Sequence, residues 1–191
     1  DYISLCYRMD PRFGGVKRVN VVRDADSLRR NINIYTISED NSSNLVTTNL
    51  HVKRNLKKWL NSYRMINDTI DILDAKIINI GVEFTVISSL NHSKFDVLSE
   101  CVAAIQERYQ DKLDIGTPFY ITEIYKILND LDSVVDTKNV NIKLKLGSEY
   151  AFSNFDIASH TSADGRYIDV PEDSVLEIKF LTSGEDIKGA V

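Results

Sequence analysis

The sequence predicts an α+β fold: two small intertwined α/β sandwich units sharing a long central strand, with a β-rich C-terminal extension. Three observations carry that prediction. The stretch Lys76–Ser88 (KIINIGVEFTVIS) alternates through thirteen positions, with Ile78, Ile80, Val82, Phe84 and Val86 on one face and Asn79, Gly81, Glu83 and Thr85 on the other, the pattern of a half-buried strand. At about 3.3 Å per residue it would span roughly 43 Å, twice a common strand and enough to serve two units. Amphipathic helical patterns flank it, and β-rich runs recur toward both ends of the chain. The expected division is 1–75 (helix, β-pair, helix), 76–146 (long strand, two helices, strand) and 147–191 (β-rich extension).

Taken in order, Asp1–Met9 places Tyr2, Ile3, Cys6 and Tyr7 along one side at helical spacing, and Asp10-Pro11 ends the helix. Val16–Arg23 and Asn31–Ser38 are β-rich runs joined by a charged loop, so an antiparallel pair is expected. Glu39–Asn44 is polar and reads as a loop. Thr47, Thr48 and Asn49 offer N-caps for a helix reaching Tyr63. On that helix Val52, Leu56, Trp59, Leu60 and Tyr63 form an apolar stripe, with Lys53, Arg54, Lys57 and Lys58 projecting elsewhere. After the long strand, Ser93-x-x-Asp96 has the form of a capping box, and Phe95, Leu98, Val102, Ile105 and Tyr109 follow helical spacing. A turn at Ile115–Pro118 leads to a second helix with Ile121, Ile124, Ile127 or Leu128, and Leu131 inward. Val140–Leu146 then alternates as a strand. In the remainder, Tyr167–Val170 and Val175–Leu181 are strand candidates, and the tail from Gly184 is expected to be mobile or to pair with something outside the chain. Gly81 near the centre of the long strand is the expected site of a bend or bulge.

With 191 residues, 43% hydrophobic and 27% charged, the chain can bury a core. No run of eighteen apolar residues and no charged-then-apolar leader appears, so neither a membrane span nor a signal peptide is expected. The sequence begins at Asp1 without Met and enters a helical pattern at once, which suggests a piece of a longer polypeptide. Cys6 and Cys101 sit in apolar helical patterns as small hydrophobes. The net charge of −5 divides unevenly. Residues 1–64 hold 12 of the 23 Lys/Arg and 6 of the 28 Asp/Glu, leaving 11 against 22 for the rest, or +6 and −11. Such polarity favours association with surfaces of opposite charge.

Catalytic and metal-binding patterns are missing. His51, His92 and His160 have no H-E-x-x-H or Cys/His ligand spacing about them, so no metal is expected. Gly14-Gly15 lacks the phosphate-loop and dinucleotide fingerprints, no G-x-S-x-G elbow occurs, and no cofactor is expected. Asp71 with Asp74, and Asp130 with Asp132, read as acidic loop residues rather than as catalytic pairs. The basic helix 50–63 lacks aromatics on its basic face and the chain is acidic in total, which argues against nucleic acid as a partner.

Strings spread in order over nearly the whole chain resemble one family: Asp1–Met9 with Arg12–Gly14, Val52–Met65, Ile77–Phe84, Ile115–Asp136, Asp164–Phe180 and Asp186–Gly189. They are similar to the C-terminal part of the baseplate wedge protein, gene product six, of T-even-type contractile-tailed phages, within the broader baseplate J-like family. The resemblance implies a structural virion protein that joins wedges into a ring around the tail hub, without enzyme activity, cofactor or metal. It implies a homo-oligomer with dimer or ring contacts, other baseplate wedge proteins as partners, and a place in the tail baseplate after assembly in the host cytoplasm. Members of that family are considerably longer than this chain. Trp59, Tyr63, Tyr120 and Tyr125 are the candidate interface residues, because aromatics are enriched in interface cores. The competing reading of the same four is that they fill the chain's own core. Val175–Leu181 is a candidate edge strand for pairing between copies. The alternative function is a small soluble ligand-binding or enzymatic α+β domain, whose mark would be a deep cavity with converging polar groups.

Overall fold

Tyr2–Tyr7 forms a short helix, α1, that ends before Pro11. There the Asp10 carboxylate accepts the Arg12 amide at 3.0 Å and opens a 3-10 turn over Pro11–Phe13. Arg18–Arg23 (β1) and Arg30–Glu39 (β2) pair antiparallel, as their β-branched composition requires. The computed structural model describes residues 2–24, 30–111, 113–181 and 185–191, so most of the charged loop expected between the two strands lies outside the described residues. Leu45–Thr47 (β3) adds antiparallel to the end of β2. Helix α2, Leu50–Asn61, is capped by Asn49, whose side-chain oxygen accepts the His51 amide at 2.9 Å. Asp68–Asp74 (β4) then runs parallel to β2, from Arg30↔Asp68 to Thr36↔Asp74.

These elements, with Asp114–Gly116 and Pro171–Val175, make one of two compact units, 1–77. Its core is Cys6, Met9, Val19, Ile34, Leu56, Leu60 and Ile70, with Val52 and Trp59 packed against it. Neither β3 nor β4 was expected. Asp71 and Asp74 therefore stand on a strand rather than in a loop, where they meet cations of α2: Lys53 Nζ lies 2.7 Å from Asp74 and Lys57 Nζ 3.4 Å from Asp71. The polarity of the two sequence halves largely disappears in the fold. Counted over all its positions, this unit holds 13 Lys/Arg against 12 Asp/Glu, and the second 10 against 16, so the net charges are +1 and −6.

The second unit comprises 78–113, 117–170 and 176–191. Lys76–Ser88 (β5) is one continuous strand, of which all but Lys76 and Ile77 belongs here. Helix α3 spans Lys94–Tyr109. Phe119–Tyr120 (β6) precedes helix α4, Ile121–Asn129, and Val134–Leu144 (β7) pairs antiparallel with β5. After the short helix α5 (Ile157–His160), Tyr167–Ile168 (β8) pairs with β6. Ser174–Glu177 (β9) pairs with β5. Ile187–Ala190 (β10) lies parallel to it, from Ile187↔Val82 to Ala190↔Thr85. The expected mobile tail is thus an ordered strand over these four residues. Register shifts in β5 fall between Thr85 and Val86 and between Ile87 and Ser88 rather than at Gly81. Gly81 instead admits close neighbours, because a Cβ there would lie 2.3 Å from the Lys145 side chain and 3.2 Å from the Asp186 carbonyl oxygen.

β5 is not the half-exposed strand its alternation predicts, since every residue from Ile78 to Val82 is buried. The polar member of that run, Asn79, is 1% exposed and fully used. Its Nδ2 donates to the Glu177 carboxylate at 2.9 Å, its Oδ1 accepts the Ala151 amide at 2.7 Å, and its carbonyl accepts the Lys145 amide at 2.9 Å. Asp186 plays the same part for β10. Its carboxylate accepts the Tyr150 hydroxyl at 2.7 Å and the Phe180 amide at 2.9 Å, beside Lys145 at 3.3 Å. Burial together with that bond raises the Tyr150 hydroxyl to about 12.

On α3 the buried residues are Val97, Cys101, Ile105 and Tyr109. At 100° per residue this face is centred about 100° from Phe95, which projects into solvent. Nor does Ser93 close a capping box, for its side chain makes no cap bond. Edge strands are stopped by side chains. In the first unit the β1 amides of Val19 and Val21 donate to Tyr7 Oη (3.1 Å) and Asn20 Oδ1 (2.9 Å). In the second, the β7 amides of Val140 and Thr137 donate to Tyr125 Oη (3.0 Å) and Asp136 Oδ1 (2.8 Å). Such caps leave those amides nothing to offer an incoming strand. Of the strand expected over Val175–Leu181, only Ser174–Glu177 forms as β9, and all four of its residues are buried.

Three outcomes follow from this packing. Asn79→Ala should lower stability by about 1–3 kcal/mol through the polar groups it strands, read as a lower urea midpoint at unchanged slope. Tyr125→Phe should cost on the order of 1 kcal/mol and raise light scattering at high concentration by uncapping β7. Burial pushes the Cys6 and Cys101 thiols up to about 12 and about 11, so a thiol reagent at pH 8 should label neither until denaturant is added.

Candidate interaction surfaces

No catalytic grouping assembles among the described residues. None of them forms a group of three His, Cys, Asp or Glu able to hold a metal ion. His51 and His92 are exposed on α2 and before α3, while His160 stacks on Phe155 at 4.3 Å. Both cysteines are free and buried. No described helix is long and apolar enough to cross a membrane.

The four sequence-derived interface candidates separate into different environments. Trp59 is partly buried against the first unit's core and its Nε1 donates to the Leu5 carbonyl at 2.9 Å. Tyr63, one turn later on the apolar stripe, is exposed and tilts against Trp59 with ring centroids 4.8 Å apart. The stripe therefore runs from core to surface: Leu56 and Leu60 are sealed, and Tyr63 lies past the last helical residue. In the second unit, Tyr120 is exposed beside Tyr167 at 6.0 Å, across the β6–β8 pair. Tyr125 packs on the core and spends its hydroxyl on the Val140 amide. The structure thus brings Trp59 and Tyr63 together and leaves Tyr120 and Tyr125 apart from each other in role.

The cleft beside Trp59 is apolar at its floor. Met9, Phe13 and Trp59 line it, with Asn55, Lys58 and Ser62 around them, and its volume is about 270 Å³. Asn55 Nδ2 donates to the Phe13 carbonyl at 2.9 Å, which holds the exposed Phe13 ring at the rim. The apolar residues most exposed in the second unit were not read as surface from the sequence: Leu90, Phe152 and Phe95 are 103%, 96% and 84% exposed, with Val135 and Ile87 exposed as well. Phe95 was hidden by its fit to the helical period of α3. The two helical cations Lys53 and Lys57 are held by carboxylates of β4, which reduces the basic face of α2 to Arg54 and Lys58.

No family model and no curated protein matches the sequence. Seventeen chains of solved structures match by fold. One belongs to the cryo-EM structure of the anti-feeding prophage (AFP) baseplate, 6-fold symmetrised, with a TM-score of 0.57 over 93% of this chain at 12% identity. The alignment takes in 36% of that baseplate chain, so the present chain spans about a third of its length. At such identity the likeness is one of fold: the α+β arrangement described above is one also found within the anti-feeding prophage baseplate.

Proposed function

We propose that this chain is a structural part of a phage contractile-tail baseplate, the C-terminal portion of a wedge protein of the gene product six, baseplate J-like kind. In this reading it mediates protein–protein assembly of wedges into a ring, binds copies of itself and other baseplate proteins, and resides in the virion tail after assembly in the host cytoplasm. It carries out no reaction. The observation that carries the reading is the fold shared with the anti-feeding prophage baseplate chain over 93% of the sequence. Beside it stands the ordered series of strings that resembles the wedge protein. Two features of the molecule support a role in assembly. Large apolar side chains stand in solvent, and outward amides of the edge strands β1 and β7 are taken up by side chains of the chain itself.

The test is to express the full-length protein with an affinity tag together with its neighbouring sheath and baseplate genes, and to image purified particles by electron microscopy. Tag-directed label is expected on a ring at the end of the tail. A tagged protein that stays soluble and never co-purifies with tail structures would overturn the reading.

A further inference from the structure

At one end of the second unit the chain forms a tip. Strand β5 runs out there, α3 begins, and the loop before β7 returns, tied by the Ser89 amide donating to the Ser133 carbonyl at 2.9 Å and by Ser133 Oγ donating to Glu100. Four exposed apolar residues sit on this tip: Ile87, Leu90, Phe95 and Val135. Ile87 stands opposite Asp136, and Val135 is the extra residue at the register shift between Ile87 and Ser88, so both exposed side chains lie at this end of the β5–β7 ladder. Single exposed apolar residues are ordinary, but four gathered at one point mark a contact surface.

The same segments are acidic. Residues 87–96 and 130–136 contain Asp96, Asp130, Asp132 and Asp136 against Lys94 alone. All four aspartates are exposed, and none forms an ion pair with a described residue. Two such tips would repel each other, which disfavours a contact that pairs tip with tip.

A surface of the opposite kind lies on the first unit. The cleft lined by Met9, Phe13 and Trp59 carries Lys58 at its edge, with Arg54 one helical turn away and Arg8 next to Met9 in sequence. Arg54, Lys58 and Arg8 are exposed and form no ion pair with a described residue, whereas Lys53 and Lys57 are committed to Asp74 and Asp71. A sealed cavity of roughly 150 Å³ accepts benzene, so a cleft of about 270 Å³ has room for the ring of Phe95. We propose that the acidic apolar tip of one copy seats in the basic-rimmed apolar cleft of a second copy, with Phe95 and Leu90 entering against Phe13 and Trp59. Contacts of this head-to-tail kind are unlike on their two sides, so each copy keeps a free tip or cleft and the chain can extend or close into a ring. The assignment rests on the assembly reading above and names its surfaces.

Sedimentation velocity on the full chain tests it with two variants, Leu90→Ser/Phe95→Ser at the tip and Phe13→Ser/Lys58→Glu at the cleft. Circular dichroism and silent thiols serve as proof of folding for each. Self-association of the unaltered chain is expected, weaker in high salt, and reduced at least tenfold in each variant alone. Mixing the two variants leaves one intact tip and one intact cleft, so the mixture should form a 1:1 dimer that grows no further. Folded variants that associate like the unaltered chain would overturn the proposal while leaving baseplate assembly through other surfaces intact. A mixture that stays monomeric would overturn it too, as would an unaltered chain that is monomeric at every concentration. Labelled particles in the imaging experiment would still uphold the broader function in each of these cases.

Discussion

A polar side chain in the middle of a strand buried on both faces is the constraint from which the second unit is built. Asn79 has no access to water, and leaving its amide unsatisfied would cost as much as several good apolar contacts contribute. Two residues distant in sequence meet that demand, Glu177 at Nδ2 and the Ala151 amide at Oδ1, while the Lys145 amide takes the Asn79 backbone carbonyl. The position of β9, the path of 145–151 and the cover over β5 are therefore coupled. Asp186 extends the coupling to β10: its carboxylate binds Tyr150 and Phe180 while its backbone carbonyl accepts the Val82 amide at 2.7 Å. A buried polar network that is fully satisfied in this way favours one arrangement over near alternatives.

Closing the edges has a consequence for how such a protein meets others. Strand addition is the simplest means by which a sheet recruits a partner, and it is also the route to uncontrolled aggregation. Here a tyrosine from a helix and an Asx side chain from the strand itself occupy edge amides in each unit, Tyr7 with Asn20 and Tyr125 with Asp136. Recognition is left to side-chain patches, whose apolar centres and charged rims can be matched to one partner orientation. Tyr125 shows how an aromatic that looks like an interface residue can serve the opposite purpose, guarding an edge.

Much of the architecture was legible. The extent of β5, the helices α2, α3 and α4, and the pairing of β1 with β2 all follow from periodicity, because each element buries a continuous face whose spacing shows in the residue order. β4 was missed because DTIDILD carries three aspartates in seven positions, and only the fold supplies their partners: the Tyr2 hydroxyl at buried Asp68, Lys57 at Asp71 and Lys53 at Asp74. β10 was missed because four residues ending in Gly-Ala carry too little pattern. The candidate surfaces were less legible still. Phe95 satisfied the helical spacing as well as any core residue, and only the additional burial of Val97 and Cys101 turns the buried face away from it.

The sequence by itself determined the long strand β5, the helices α2, α3 and α4 and the pair β1–β2, that the chain is α+β, and that its residues offer no recognised catalytic or metal-binding pattern. Those are local properties, written in the spacing of apolar residues and in the absence of motifs. Only the tertiary structure decided that β5 is buried on both faces from Ile78 to Val82, that the tail closes on it as β10, and that the charges of the first 64 residues are nearly balanced within their unit. It alone decided which aromatics stand in solvent. These outcomes depend on contacts between residues far apart in the chain, and no periodicity within a single segment encodes what will cover it.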